Sequence, residues 1–247
     1  MTPFSKATAV IDFLTSIYTL LQTWGILLLR GTLETCRLFA MTLVLELVVA
    51  LTMGLARLSS FTPIRVAANI FVETFRGVST YVTLFWLYFA LPIVGFTLGA
   101  TEAAVFALAL VHGAYASEYV RSTIRAIPKG QTDAAVALNM SKFQRMRYVI
   151  FPQALVAMMP LFGNDAIMLL KATSLASLIA VHDLTEAGIS INVATYSVNA
   201  FSVFTILLII YFLLSQIVTF IMRRIERRVG YWKSPDRISR VKGVVSQ

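Results

Sequence analysis

The sequence predicts an all-α, polytopic membrane protein with about five transmembrane helices. Three features of its composition support this fold class. Hydrophobic residues make up 58% of the 247 residues, charged residues make up only 13%, and the mean hydropathy is +0.78. Because a soluble domain has about 25% charged residues, this chain has more apolar surface than one globular core can bury. We therefore expect most of the chain to lie in lipid.

Five apolar runs are long enough to form the predicted spans. A bilayer core of about 30 Å is crossed by about 20 mainly apolar residues in a helix. The runs are residues 33–56, 66–90, 103–120, 154–170 and 201–222. A sixth run, residues 13–29, ends at Arg30 and Gly31, which leaves no room for a loop before the next span. We therefore predict that residues 13–29 form an interfacial or tilted helix.

The basic residues predict the orientation, because short cytoplasmic loops are enriched in lysine and arginine. Lysine and arginine follow the first, third and fifth runs, whereas residues 91–102 and 172–200 contain neither. We therefore expect the N-terminus outside and the C-terminus in the cytoplasm. The expected parts are an N-terminal segment (1–32), a transmembrane domain (33–222) and a basic cytoplasmic tail (223–247), whose arginines face anionic lipid headgroups.

Several other functions are disfavoured by the residue content. A net charge of +9 is compatible with nucleic-acid binding, but the basic residues lie between apolar runs, so no nucleic acid is expected. Cys36 is the single cysteine, and with only His112 and His182 no metal site is expected. The sequence has no Gly-x-x-x-x-Gly-Lys-Ser/Thr phosphate loop. We expect no catalytic residue and no cofactor in this chain.

Residues 121–152, between the third and fourth expected spans, predict two short cytoplasmic helices joined by a tight turn. Asp133 complements the dipole of the first helix. Ala134 and Ala135 give this helix a smooth face that another protein can approach closely. We expect the helix to stop at Asn139, because asparagine tolerates the left-handed conformation that closes a helix.

The second of these helices has its own start and stop signals. Ser141 followed by Gln144 predicts a capping box at its start. Pro152 predicts its end or a kink, because proline lacks the N–H that continues a helix.

This loop resembles the EAA loop of ABC importer permeases, whose pattern is Glu-Ala-Ala, three residues, Gly, nine residues and Ile-x-Leu-Pro. Asp133 stands for the Glu, Asn139 for the Gly, and Val149 with Phe151 for the Ile and Leu. The resemblance implies that the loop contacts a separate ATPase, and that Ala135→Asp inserts normally but loses this contact. The coupling residues that it implies are Gly130, Asp133, Ala134, Ala135, Asn139 and Pro152.

Further motifs resemble the polar amino-acid branch of these permeases. They are Phe75-Arg76-Gly77, Ala114-Tyr115-Ala116-Ser117-Glu118, Gly163-Asn164-Asp165 and Leu170-Lys171-Ala172-Thr173-Ser174-Leu175. Asn192-Val193-Ala194-Thr195-Tyr196 is similar to the histidine, basic amino-acid and opine permeases. The family continues Arg-Gly with Thr-Pro-Leu, whereas this chain has Val78-Ser79-Thr80, so we expect a different local geometry in the second span.

The resemblance implies an inner-membrane subunit that translocates a polar amino acid, of basic or opine type in the finer prediction, by alternating access. The implied partners are two ABC ATPases that bind ATP and Mg²⁺, a second permease subunit that is similar or identical, and an extracytoplasmic solute-binding protein. The alternative is a self-powered ion-coupled carrier that uses intramembrane acids as proton or sodium sites. Dependence on a co-purifying ATPase distinguishes the two.

Charged residues inside a span need a partner or a water-lined cavity. Glu34 with Arg37, and Glu73 with Arg76, are three residues apart and are expected to pair on one helix face. Glu46 has no basic residue at helical spacing within its own span.

Asp165 also lacks a basic residue at helical spacing, and it follows a proline-broken turn. We predict that it binds the cationic group of a substrate together with Asn164, Glu118 and His112. The alternative is a structural aspartate that is protonated or paired with Lys171 across a subunit interface.

Overall fold

The structure is a computed structural model that describes residues 3–230, and this part of the chain is helical and contains no strand. The helices are α1 (Pro3–Ala56), α2 (Thr62–Gly77), α3 (Thr80–Phe85), α4 (Ala100–Arg125), α5 (Lys129–Ala137), α6 (Lys142–Gln144), α7 (Phe151–Ala172), α8 (Leu184–Ala194) and α9 (Ala200–Gly230). Four continuous helical stretches are long and apolar enough to span a membrane, and the bent pair of α2 and α3 makes a fifth candidate. The predicted all-α membrane fold is confirmed.

Helix α4 has the most extensive contacts, because it packs against α1, α2, α3 and α7. Its buried face consists mainly of small side chains, which let neighbouring helices approach closely. The buried alanines are Ala103, Ala104, Ala107, Ala109, Ala114 and Ala116. Gly113 extends this face: a Cβ atom added there would lie 2.7 Å from the Cβ of Val49 on α1. The α1–α4 contact is therefore set by backbone approach.

Gly54 gives a direct test of this close packing. A Cβ atom at Gly54 would lie 2.6 Å from the Cβ of Val120, so Gly54→Ala is expected to lower the unfolding free energy by about 1–3 kcal/mol. Gly25 lies on the same helix with nothing within 4 Å of its added Cβ, so Gly25→Ala is the matched control. Thermal unfolding of the purified proteins in detergent measures the difference. Equal melting temperatures for the two variants would contradict the packing.

The N-terminal apolar run is not a separate element. Helix α1 continues without interruption through the expected boundary between residues 32 and 33. Gly31 does not break the helix; it allows α8 to approach, since an added Cβ would lie 2.9 Å from the Asp183 carbonyl oxygen. Residues 13–29 contribute Leu20 and Leu28 to an apolar cluster with α8 and α9. The run is therefore the first part of α1, and its placement along the bilayer surface stays a prediction.

The second expected span, residues 66–90, is bent, because α2 and the helical stretch that begins with α3 (Thr80–Val94) meet at an angle of 103°. Val78 and Ser79 both have extended backbones, with ψ angles of 142° and 137°. Two consecutive extended residues end the hydrogen-bond ladder of α2, and a new ladder begins where the Thr83 amide donates to the Ser79 carbonyl oxygen at 3.0 Å. The bend falls in the segment where the motif departs from the Thr-Pro-Leu pattern.

The C-terminal helix is longer than the fifth expected span. Helix α9 continues past residue 222 to Gly230, so the first residues of the expected basic tail are helical. Residues 231–247, which contain the rest of that tail, lie outside the described residues.

Candidate functional site

The cytoplasmic loop contains the predicted turn between two helices. Asn139 follows α5 with φ 60°, in the left-handed region, and the Met140 amide donates to the Ala135 carbonyl oxygen at 3.1 Å. The next helix begins with the predicted capping box: the Ser141 amide donates to Gln144 Oε1 at 2.8 Å, and the Gln144 amide donates to Ser141 Oγ at 3.3 Å. Local side-chain chemistry therefore fixes the shape of the loop.

Pro152 does not end this second helix, which is continuous over Lys142–Ile179. A π-helical turn, Arg145–Ile150, precedes the proline, and the Phe151 amide donates to the Met146 carbonyl oxygen. The extra residue in this turn shifts the hydrogen-bond register just before the position that lacks an N–H. The expected end at Pro152 is therefore wrong, because the helix continues through the proline.

The loop presents an apolar surface on its outer side. Among the implied coupling residues, the exposed ones are Gly130, Asp133, Ala134, Asn139 and Pro152. Ala135 is only 3% exposed, on the side of α5 that packs against the π-helical turn. The large apolar side chains exposed on the loop, which we call the coupling face, are Val136, Leu138, Phe143 and Tyr148. Exposed apolar clusters of this kind mark sites of protein interaction.

Because Ala135 is buried, a different residue has to be mutated to test whether the loop binds an ATPase. Ala135→Asp would place a charge inside the packing of the loop itself, so it tests the folding of the loop and not its docking. Leu138, which is 76% exposed, is the appropriate position.

Asp165 lies in the core between three helices. Its side chain is 3% exposed, and its Oδ1 atom is 3.8 Å from Nδ1 of His112 on α4. Glu46 of α1, which is fully buried, and Tyr119 of α4 neighbour the same carboxyl group. The structure therefore brings together an aspartate, a glutamate and a histidine that are far apart in the sequence.

This cluster has an excess of acceptors. Both carboxyl oxygens of Glu46 and Oδ2 of Asp165 are buried without a hydrogen-bond partner, and the Thr42 hydroxyl, one helical turn before Glu46, is also unpaired. Buried acceptors without donors cost free energy, so the cluster can bind a group that supplies N–H donors or a proton.

The structure brings together only part of the predicted substrate site. His112 lies beside Asp165, but Asn164 is exposed, because adjacent helical residues point in directions about 100° apart. Glu118 is already paired, since it accepts from Arg57 at 2.8 Å and from Arg121. Neither Asn164 nor Glu118 belongs to the cluster.

Glu46 was missed as a site residue. Two features of the sequence could have indicated it. Glu46 is an acid without a basic residue nearby in an apolar run, and Thr42 lies one helical turn before it.

The other predicted ion pairs are present. Arg37 lies 3.5 Å from Glu34, and Arg76 lies 3.7 Å from Glu73. Both pairs are of the i,i+3 type. The Glu34–Arg37 pair is exposed and contributes little to stability, whereas Arg76 is half-buried.

Asp183, in the segment between α7 and α9, is a buried acid that the sequence did not single out. It caps α8, because its Oδ1 atom accepts from the Glu186 amide at 2.8 Å, whereas Oδ2 has no partner. Burial raises the pKa of the Asp183 carboxyl to about 6, although the amide hydrogen bond opposes this rise.

Asp183→Asn is expected to stabilise the protein above pH 6. The raised pKa means that the stability contributed by the neutral carboxyl is present below its ordinary pKa of 3.8 and is lost as the pH rises through about 6. Asparagine keeps the helix cap and stays neutral, so the gain at neutral pH is on the order of 2 kcal/mol and vanishes near pH 4. Thermal unfolding across this pH range measures it. If the stability of the wild type and that of Asp183→Asn changed in parallel with pH, the predicted stabilisation would be contradicted.

Comparison with known proteins shows which family this chain matches. The family of binding-protein-dependent transport system inner membrane components matches residues 46–231. The probable amino-acid ABC transporter permease protein y4tF of Sinorhizobium fredii (strain NBRC 101917 / NGR234) is 38% identical over 214 residues, which cover 84% of this chain and 89% of that protein. The arginine transport system permease protein ArtQ of Bacillus subtilis (strain 168) is 32% identical over 82% of this chain and 92% of that protein. The glutamine transport system permease protein GlnP of Escherichia coli (strain K12) is 33% identical over 82% of this chain and 93% of that protein.

Solved structures show the same fold. A crystal structure of an amino acid ABC transporter with histidines superposes with a TM-score of 0.78 at 32% identity, over 84% of this chain and 96% of that one. An inward-facing MetNI methionine ABC transporter, at 22% identity and a TM-score of 0.70 over 83% of this chain and 97% of that one, supports the fold alone. From the family match and these relatives, the chain belongs to the binding-protein-dependent transport system inner membrane components, as an amino-acid ABC transporter permease.

Proposed function

We propose that this chain is the permease subunit of an importer that moves a polar amino acid across the inner membrane by alternating access. The coupling face is the observation that carries this proposal. It presents four large apolar side chains at the cytoplasmic loop, where a partner protein has to cover them. One ABC ATPase binds this face, a second binds the corresponding loop of the other permease subunit, and both hydrolyse ATP with Mg²⁺. This chain itself performs no covalent chemistry.

The complete importer contains two further components. A second permease subunit, similar or identical to this chain, completes the pathway, and an extracytoplasmic solute-binding protein delivers the substrate. The N-terminus lies outside and the C-terminus in the cytoplasm, since the arginines of α9 follow the last span. This orientation places the coupling face on the same side as the ATPases.

The substrate is a basic amino acid, or an opine that carries a basic group. The unpaired carboxyl oxygens of Glu46 and Asp165 support this class, because an ammonium or guanidinium group would supply the missing donors, and the neighbouring Thr42 hydroxyl can accept from the same group. The printed name of ArtQ assigns it to arginine, whereas that of GlnP assigns it to glutamine. The acidic cluster favours the cationic class.

Purification of the chain with its native partners tests the proposed function. Mass spectrometry should identify an ABC ATPase, and uptake by proteoliposomes that contain the complex should require ATP and the solute-binding protein. Uptake driven by a proton or sodium gradient without ATPase would instead establish the ion-coupled carrier.

A further inference from the structure

Arg57 is the only buried arginine within residues 11–229, and it connects three helices. It directly follows α1, and its side chain is 7% exposed. Its Nη1 atom donates to Glu118 Oε2 of α4 at 2.8 Å. On α2, its Nε atom donates to Asn69 Oδ1 at 2.8 Å, and its Nη2 atom donates to Glu73 Oε1 at 3.4 Å. Each guanidinium nitrogen therefore has a different acceptor.

A second set of contacts surrounds this arginine. Arg121 donates to Glu118, and Arg76 pairs with Glu73. The guanidinium group of Arg76 also lies over the ring of Tyr115, 5.5 Å from its centroid. We call this set the arginine network; its members are Arg57, Asn69, Glu73, Arg76, Glu118 and Arg121.

Arg57 is not needed to neutralise Glu73 or Glu118, but it links these two carboxylates to each other. Without it, Glu118 would still pair with Arg121, and Glu73 with Arg76. Among the described residues, however, Arg57 is the only arginine bonded to both carboxylates. Together with the contact between Tyr115 of α4 and Arg76 of α2, it restrains the position of α2 relative to α4.

Helix α2 depends on this link because its apolar packing is small. Only Ala68 and Val72 are buried along its 16 residues. Burial of two such small side chains contributes little free energy compared with a well-packed helix face. The polar contacts of the arginine network are thus a principal restraint on the position of α2.

The arginine network lies between the cytoplasmic loop and the bent pair of α2 and α3, which are both expected to move during transport. Helix α4 ends at Arg125, shortly before the cytoplasmic loop, and α2 ends at the 103° bend, one residue after Arg76. We propose that Arg57 is a positioning residue that transmits movement of the cytoplasmic loop to the bent pair of α2 and α3. This inference rests on the proposed function, and it concerns the coupling of ATP hydrolysis to transport.

Arg57→Gln tests the inference in proteoliposomes that contain the whole importer, with uptake and ATP hydrolysis measured together. The amount of complex recovered should match the wild type, because each carboxylate keeps an arginine. The amount of substrate transported per ATP hydrolysed should fall about tenfold, which corresponds to a rise of about 1.4 kcal/mol in the barrier to productive transport. Arg57→Lys should give a smaller fall, since one ammonium group cannot reproduce the planar fork.

Arg37→Gln is the matched control, because it removes an exposed arginine of α1 whose pair with Glu34 involves no other helix. Its transport per ATP should equal that of the wild type. The double variant Arg57→Gln with Glu118→Gln should lower transport per ATP by a smaller factor than the product of the two single-variant factors, because the two residues act through the same contact.

Two outcomes would overturn the inference. In one, transport and hydrolysis fall together in proportion to the complex recovered, which means that Arg57 only stabilises the fold. In the other, transport per ATP is unchanged. A wild-type importer without ATP-dependent uptake would overturn the proposed function itself, and this inference with it.

Discussion

Leu138→Asp is expected to leave membrane insertion intact and to reduce ATPase association and ATP-dependent uptake by at least about 100-fold, since an unpaired charge buried in an interface costs about 3–5 kcal/mol. Leu138 is 76% exposed on the coupling face, so the change does not disturb packing within the chain. Co-purification of the ATPase and uptake by vesicles measure the two effects.

Two variants at the same loop complete this experiment. Leu138→Met keeps an apolar side chain of similar volume, so association should be retained. Ala135→Asp should instead reduce the stability of the permease before any partner is added, because Ala135 is buried. Normal ATPase association by Leu138→Asp would show that the coupling face is not the docking surface.

Asp165→Asn is expected to lower the uptake of cationic substrates at least about tenfold relative to neutral ones, because the charge-assisted hydrogen bond is lost. Asparagine is similar in size, and its amide can donate to the neighbouring Glu46 carboxyl group, so the helix core should be retained. The measurement is uptake of paired cationic and neutral amino acids by vesicles that contain the complete importer. Asn164→Ala, at the exposed neighbouring residue, is the matched control.

The other outcomes assign different roles to Asp165. If expression, assembly and uptake of every substrate fall together, Asp165 is a structural residue of the helix core. If the ratio of cationic to neutral uptake is unchanged, selectivity resides in the external binding protein. Either result would contradict the substrate site at Glu46, Asp165 and Thr42.

Features that depend on neighbouring residues were predictable from the sequence. The left-handed Asn139 and the capping box of Ser141 and Gln144 involve residues within one or two turns, so their chemistry can be read directly. The ion pairs Glu34–Arg37 and Glu73–Arg76 were predicted for the same reason.

Features that depend on packing between helices were not predictable. The contacts of Asp165 with Glu46 and His112 exist only because α1, α4 and α7 meet. The sequence around Gly31 gives no sign that α8 packs closely against it. The exclusion of Asn164 from the cluster is different, because the 100° step between adjacent helical residues could have separated it from Asp165 in advance.

The 103° bend has a consequence for where lipid can lie around the protein. Where α2 ends, its last carbonyl groups lose their helical partners, and hydrocarbon offers no donor to replace them. One of these groups is satisfied within the chain, because the Tyr115 hydroxyl donates to the Arg76 carbonyl oxygen at 3.0 Å. Any other carbonyl group left open at this helix end has the same need for a donor, which acyl chains cannot supply. The bend therefore belongs on a surface from which acyl chains are excluded.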